Sequence, residues 1–136
     1  MAANTSPIFG LTPHVSGITT GTTQHTEKDG TTATQVVFTA AANGSRVDDI
    51  YLVHMGSNVA TVVRFFINNG SAVGTAVNNF LVHEETMAAC TASEVAASVQ
   101  VRYSANLSLP VGYKIYVTIG TAIAAGIMAT AVGSDF

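Results

Sequence analysis

The residues best equipped for chemistry are the run His83-Glu84-Glu85, the doublet Asp48-Asp49 and the single cysteine, Cys90. On an extended strand His83 and Glu85 share one face while Glu84 points the other way. A metal site there needs another ligand from a neighbouring strand, with His54 the candidate. A solvated polar strand face explains the same residues without a metal. Paired carboxylates do acid–base work only when they share a proton or a substrate, and neighbours on a strand point apart. Asp48-Asp49 therefore reads as a bulge between Val47 and Ile50, with Arg46 pairing one of the two acids. Cys90 can form neither an intramolecular disulfide nor a cysteine-based zinc site. Its surroundings, Met87-Ala-Ala-Cys-Thr91, hold no base to activate the thiol, so it reads as a small buried hydrophobe. The other histidines, His14 and His25, stand in no helical metal spacing, and the chain has no Gly-x-Ser-x-Gly elbow, phosphate loop or dinucleotide fingerprint. These residues point away from an enzyme, and no cofactor is expected.

Composition narrows the classes further. The chain has 136 residues, the size of one domain, with 48% hydrophobic and only 10% charged residues. Thr, Ser, Asn, Gln and Gly must therefore cover the surface, which suits a protein packed against many neighbours. The net charge is −3, and Lys28, Arg46, Arg64, Arg102 and Lys114 are scattered. No basic stripe exists to neutralise phosphates, which argues against nucleic acid, and no polybasic patch argues for a membrane surface. The longest apolar stretch, Ala122 to Val132, is broken by Gly126 and Thr130 and is too short for a bilayer. The opening Met1-Ala-Ala-Asn-Thr-Ser-Pro7 lacks the features of a signal peptide, so synthesis in a reducing cytoplasm is the expectation.

The elements that must position these residues are strands. Thr, Val, Ile, Tyr and Phe dominate between Gly and Asn breaks. In the segment 113–119, Tyr113, Ile115, Val117 and Ile119 form an inward set, leaving Lys114, Tyr116 and Thr118 toward water or a partner. Val99, Val101 and Tyr103 do the same in 98–104. The stretch 59–67 is apolar on both faces, with Thr61, Val63, Phe65 and Ile67 opposite Val62, Arg64 and Phe66, and 50–55 behaves similarly. A strand of that kind is central in a sandwich or covered by another subunit, a first pointer to an oligomer. Asn43-Gly44 and Asn69-Gly70 carry the positive φ of tight hairpin turns, and Met55–Asn58 and Leu109–Gly112 mark further breaks. About eight strands result, near 14–20, 31–39, 46–55, 59–68, 77–87, 95–105, 112–120 and 125–132, which predicts an all-β, single-domain antiparallel sandwich of jelly-roll type. Thr91-Ala-Ser-Glu94 reads as a capping box before a short helical turn.

Residues 1–30 differ from the remainder, 31–136, which carries the sandwich. They combine Pro7, Pro13, Gly10, Gly17 and Gly21 with a Thr-rich run, and they read as an extended N-terminal arm plus a first strand. Such an arm orders against a neighbour, for example by adding a strand to its sheet, with Pro7, Ile8, Phe9 and Leu11 as its partner-binding residues.

The opening Met1–Phe9, the Phe38–Val47 turn, the Asn58–Gly70 segment and the Leu109–Gly120 strand resemble small virion proteins of tailed bacteriophages, and among these the capsid decoration (cement) proteins. The resemblance spans nearly the whole chain and rests on turns and strands. It implies a homotrimer on the outer capsid surface of the virion, bridging neighbouring copies of the major capsid protein. It carries over no catalytic residue. The alternative is a receptor- or carbohydrate-binding module of a tail fibre or baseplate, in which Tyr51, Tyr103, Tyr113 or Tyr116 stacks on a sugar ring.

Overall fold

A computed structural model describes residues 9–136. Alternating Thr/Val/Ile/Phe runs form eight strands: β1 (Thr12–Thr19), β2 (Gln35–Thr39), β3 (Ser45–His54), β4 (Thr61–Asn68), β5 (Asn79–Met87), β6 (Gln100–Leu109), β7 (Lys114–Ile119) and β8 (Ile127–Asp135). They build two four-stranded antiparallel sheets, sheet A in the order β1-β8-β3-β6 and sheet B in the order β2-β7-β4-β5. The chain is thus the all-β antiparallel sandwich expected from its sequence. The pairs β1/β8, β2/β7, β3/β6 and β4/β5 are those of one long hairpin rolled upon itself.

The core lies between the sheets. Ile50 and Leu52 of β3, Val63 and Phe65 of β4, Ile115, Val117 and Ile119 of β7, and Ile127, Ala129 and Ala131 of β8 are all buried there. Burying each of the larger side chains contributes about 1.5–3 kcal/mol. The register of β2 on β7 shifts between Val36 and Phe38, and this irregularity lets the consecutive Val37 and Phe38 both be buried. The bulge foreseen at Asp48-Asp49 is present, since the pairing of β3 slips between Val47 and Asp49, and Arg46 Nε donates to Asp48 Oδ1 at 2.6 Å.

Three expectations are corrected. Gly44 and Gly70 do adopt positive φ, +89° and +88°. Asn43-Gly44, however, carries the chain from β2 in sheet B to β3 in sheet A, and β4 joins β5 through residues 69–78, which include a single 3₁₀ turn, Ala76–Asn78. Neither site is a two-residue hairpin. The helical turn after Thr91 does not form. Ser93 Oγ instead accepts from the N–H groups of Val95 and Ala96, an exposed side-chain-capped bend. Finally, the outer side of β7 faces neither water nor a partner, because Tyr116 and Thr118 are buried.

What covers them is the chain itself. Residues 20–34 run as a strap across the outer face of sheet B, pinned by His25 N–H to Ile119 O and folded by a turn of its own, Ala33 N–H to Gly30 O. Phe66, Tyr116 and Ala33 make a second apolar cluster beneath it, with Val36 and Val73 at its edge. Gly30, at φ +73°, sits so close that a Cβ there would lie 2.9 Å from Phe66 Cδ1. Arg64 Nη1 donates to His25 O at 2.8 Å, and Glu84 accepts from both Arg64 Nε and Lys28 Nζ. The two-faced apolar character of β4 is therefore accounted for within one chain and no longer points to a second subunit. Within the segment 1–30, expected to be an arm and a first strand, Thr12–Thr19 forms β1 and residues 20–30 form part of the strap.

Candidate functional site

Among the described residues sheet A has no such cover. Its register aligns three outward rows across β1, β8, β3 and β6: Val15–Val132–Asp49–Ser104, Gly17–Thr130–Tyr51–Arg102, and Thr19–Met128–Val53–Gln100. The alternate rows, Ile18–Ala129–Leu52–Val101 and Ser16–Ala131–Ile50–Tyr103, turn toward the core. The outward rows mix β-branched, hydroxyl and thioether side chains. Val15 is 67% exposed and Tyr51 41%, and Met55, continuing the β3 row beyond its end, is 55% exposed. Phe9 and Leu11 extend the same surface at the β1 end, 68% and 79% exposed, with Leu11 N–H donating to Asp135 O.

The two charges in these rows neutralise one another. Arg102 grips Asp49 with two hydrogen bonds, Nε to Oδ1 and Nη2 to Oδ2, both 2.8 Å, and Ser104 Oγ donates to Oδ1. The Arg102 hydrogen bond is the main reason that the Asp49 carboxyl titrates below its ordinary value. The guanidinium also lies 6.0 Å from the Tyr51 ring centroid. The face thus mixes exposed apolar side chains, Val15, Tyr51 and Met55, with hydroxyls and one bidentate ion pair that leaves it neutral in sum.

Of the arm residues, Pro7 and Ile8 lie outside the described residues, while Phe9 and Leu11 are the exposed apolar side chains named above. His83 Nε2 donates to Glu85 Oε2 at 2.9 Å, and its ring stacks on Tyr103 at 3.9 Å and 7°. Glu84 points the other way, to Arg64 and Lys28, as strand alternation requires. His54 sits in the opposite sheet and is 3% exposed. Asn58 Nδ2 donates to its Nδ1 at 2.8 Å, so Nε2 carries the proton and donates to Ala88 O at 2.9 Å. Both of its nitrogens are occupied in tying loops together. Among the described residues no group of three His, Cys, Asp or Glu side chains is placed to hold a metal ion. Cys90 is buried, and its backbone pairs with Asn58.

One constellation has the residue types of a hydrolase triad with a different wiring. Ser45 Oγ donates to Asp135 Oδ1 at 2.5 Å, and His14 Nδ1 donates to the same oxygen at 2.7 Å. Catalysis needs the imidazole between the serine and the carboxylate. Here the carboxylate stands in the middle, Ser45 is fully buried, and its oxygen accepts from Ala41 N–H. The three residues fasten β1, β3 and β8 at one end. The Ser45 bond first and the His14 bond second hold the Asp135 carboxyl below its ordinary value.

The outer face of sheet A is half legible in the sequence. The 50–55 segment is apolar on both sides, but Tyr51, Val53 and Met55 gain meaning only beside Val15, Met128 and Val132, which the register brings from the two chain ends. No protein-family model matches the chain, and neither a curated protein nor a solved structure matches it. Among the described residues no helix is long and apolar enough to cross a membrane.

Proposed function

We propose that this chain is a structural protein of jelly-roll type whose work is to present sheet A to other protein chains, as a capsid decoration (cement) protein of a tailed phage does. The observation that carries the reading is the contrast between its two sheets. The strap covers β4 and β7 of sheet B, leaving Phe80 and Leu81 exposed at its β5 edge, whereas sheet A presents Val15, Tyr51 and Met55 on a net-neutral face continuous with Phe9 and Leu11. The rolled-hairpin strand order supports it, because eight-stranded jelly rolls recur in viral capsid proteins. In this reading a homotrimer on the outer capsid surface bridges neighbouring major capsid proteins, and repetition over the shell turns modest contacts into avid ones.

The test is to image intact particles and to count the chain. Hundreds of copies on the head support decoration, whereas a handful at the tail favours the receptor-binding alternative. Val15→Lys and Met55→Lys, both at exposed positions, should leave melting unchanged and weaken particle binding by at least about tenfold, since an interface that buries an unpaired ammonium loses several kcal/mol. Unchanged occupancy of both variants would remove sheet A from the account. Tail-fibre sugar stacking would rest mainly on Tyr51, because Tyr116 is buried and Tyr103 is stacked on His83.

A further inference from the structure

Beyond the end of β1, where β2 stops short of the end of β7, the strap and sheet B form an open pocket of about 260 Å³. At ~30 Å³ per water molecule this is room for roughly nine waters, or for one small ring compound. Val117 and Ile119 give it an apolar wall, Thr20, His25, Gln35 and Thr118 supply polar groups, and among the described residues no carboxylate, ammonium or guanidinium lines it.

The polar groups are oriented. Thr32 gives its single hydroxyl proton to Glu27 Oε2 at 3.2 Å, so at 2.8 Å it can only accept from His25 Nδ1–H. That leaves His25 Nε2 as a lone-pair acceptor, held in place by a carboxylate acting through a hydroxyl. Gln35 Nε2 donates to Thr34 Oγ1 at 3.2 Å, which leaves its carbonyl oxygen for a second acceptor role. Thr118 Oγ1, on the floor, is buried without a hydrogen-bond partner among the described residues. A buried hydroxyl in that state gains free energy from any group that satisfies it.

We propose that this cavity binds a neutral, hydroxyl-rich small molecule the size of one sugar ring. Its hydroxyls donate to His25 Nε2 and to the Gln35 carbonyl oxygen, and one of them accepts from Thr118. An anion finds no cation on these walls and a cation finds no carboxylate, while Val117 and Ile119 offer an apolar surface to the C–H face of a ring. The site is separate from sheet A, so its failure leaves the proposed docking role standing, and the reverse.

The test is a ¹H–¹⁵N NMR titration of the full chain with D-glucose, D-galactose and N-acetylglucosamine, with glycerol as the comparison. At least one sugar should move the amide signals of Gly21, Thr23, His25 and Gln35 with a Kd on the order of 1 mM, as suits so small a ligand. Gln35→Ala should weaken binding by about tenfold, the loss of one or two hydrogen bonds. The isosteric Thr118→Val should weaken it several-fold while the protein melts no lower than wild type, an outcome that a purely structural hydroxyl would not give. Silence of these amides toward all three sugars, equal shifts with glycerol, or wild-type affinity in both variants overturns the proposal.

Discussion

Replacing Asn58 by alanine probes the packing at one end of the sandwich most sharply. Asn58 is 6% exposed and does two things there: Nδ2 donates to His54 Nδ1 at 2.8 Å, and Oδ1 accepts from Ala125 N–H at 2.7 Å. It thereby joins β3, the turn after it and the loop before β8. The alanine variant strands one buried acceptor and one buried donor. At about 1–3 kcal/mol for each, the loss is about 2–6 kcal/mol, near 3 kcal/mol if a water molecule reaches one of them. For 136 residues, an unfolding entropy of roughly 2.1 cal/mol/K per residue gives about 0.29 kcal/mol/K, so 3 kcal/mol lowers Tm by about 10 °C. The chain has no Trp, so urea unfolding is followed by far-UV circular dichroism. Asn58→Asp keeps an acceptor for Ala125 but sets a carboxylate against the His54 lone pair, and at neutral pH it should be no better than alanine. Asn69→Ala, near the surface, is the control and should stay within about 1 kcal/mol of wild type. If Asn58→Ala also stays within about 1 kcal/mol of wild type, the assignment of His54 as a satisfied structural histidine is wrong.

Two further outcomes follow from the same contacts. Asp135 is held below its ordinary value by Ser45 and His14, so its charged form favours the fold, and its contribution is present above the ordinary carboxylate range and lost as pH falls through the folded value. Urea midpoints measured from about pH 6 to about pH 2.5 should therefore fall more steeply for wild type than for Asp135→Asn, and equal slopes would contradict the linkage. Phe66→Ala empties the cluster beneath the strap and should cost about 3–5 kcal/mol. Because the strap rests on that ring, trypsin should also cut after Lys28 faster in the variant than in wild type, and an unchanged cleavage rate would show that the strap is held by other contacts.

The strands were legible because their alternation is local. The inward set Ile115, Val117 and Ile119 and the slip at Asp48-Asp49 both follow from a period of two and its interruption. Burial by distant chain was not legible. Tyr116 and Thr118 read as an outer surface, and Phe66 as covered by a second sheet or subunit, because nothing in their own segments announces that residues 20–34 return over them. The same limit blurred the first thirty residues. Pro, Gly and Thr there spoke for an arm, yet β1 takes its hydrogen bonds from β8, at the far end of the chain. Strand β6 also began later than its residue types suggested, since Ala96 and Ala97 fall in the bend after Ser93 and the alternation runs on to Leu109, where Pro110 removes the next donor. The docking face depended on register, which a single strand does not encode.

That face is tested most directly by methionine oxidation footprinting of the free protein and of the assembled particle. Met55 and Met128 belong to sheet A, while Met87 is fully buried in the core and serves as the internal reference. The account predicts that Met55 and Met128 oxidise readily in the free chain and become protected on the particle, with Met87 slow in both. Equal oxidation of Met55 and Met128 in the two states would contradict it, because sheet A would then remain open to solvent where its partners should stand.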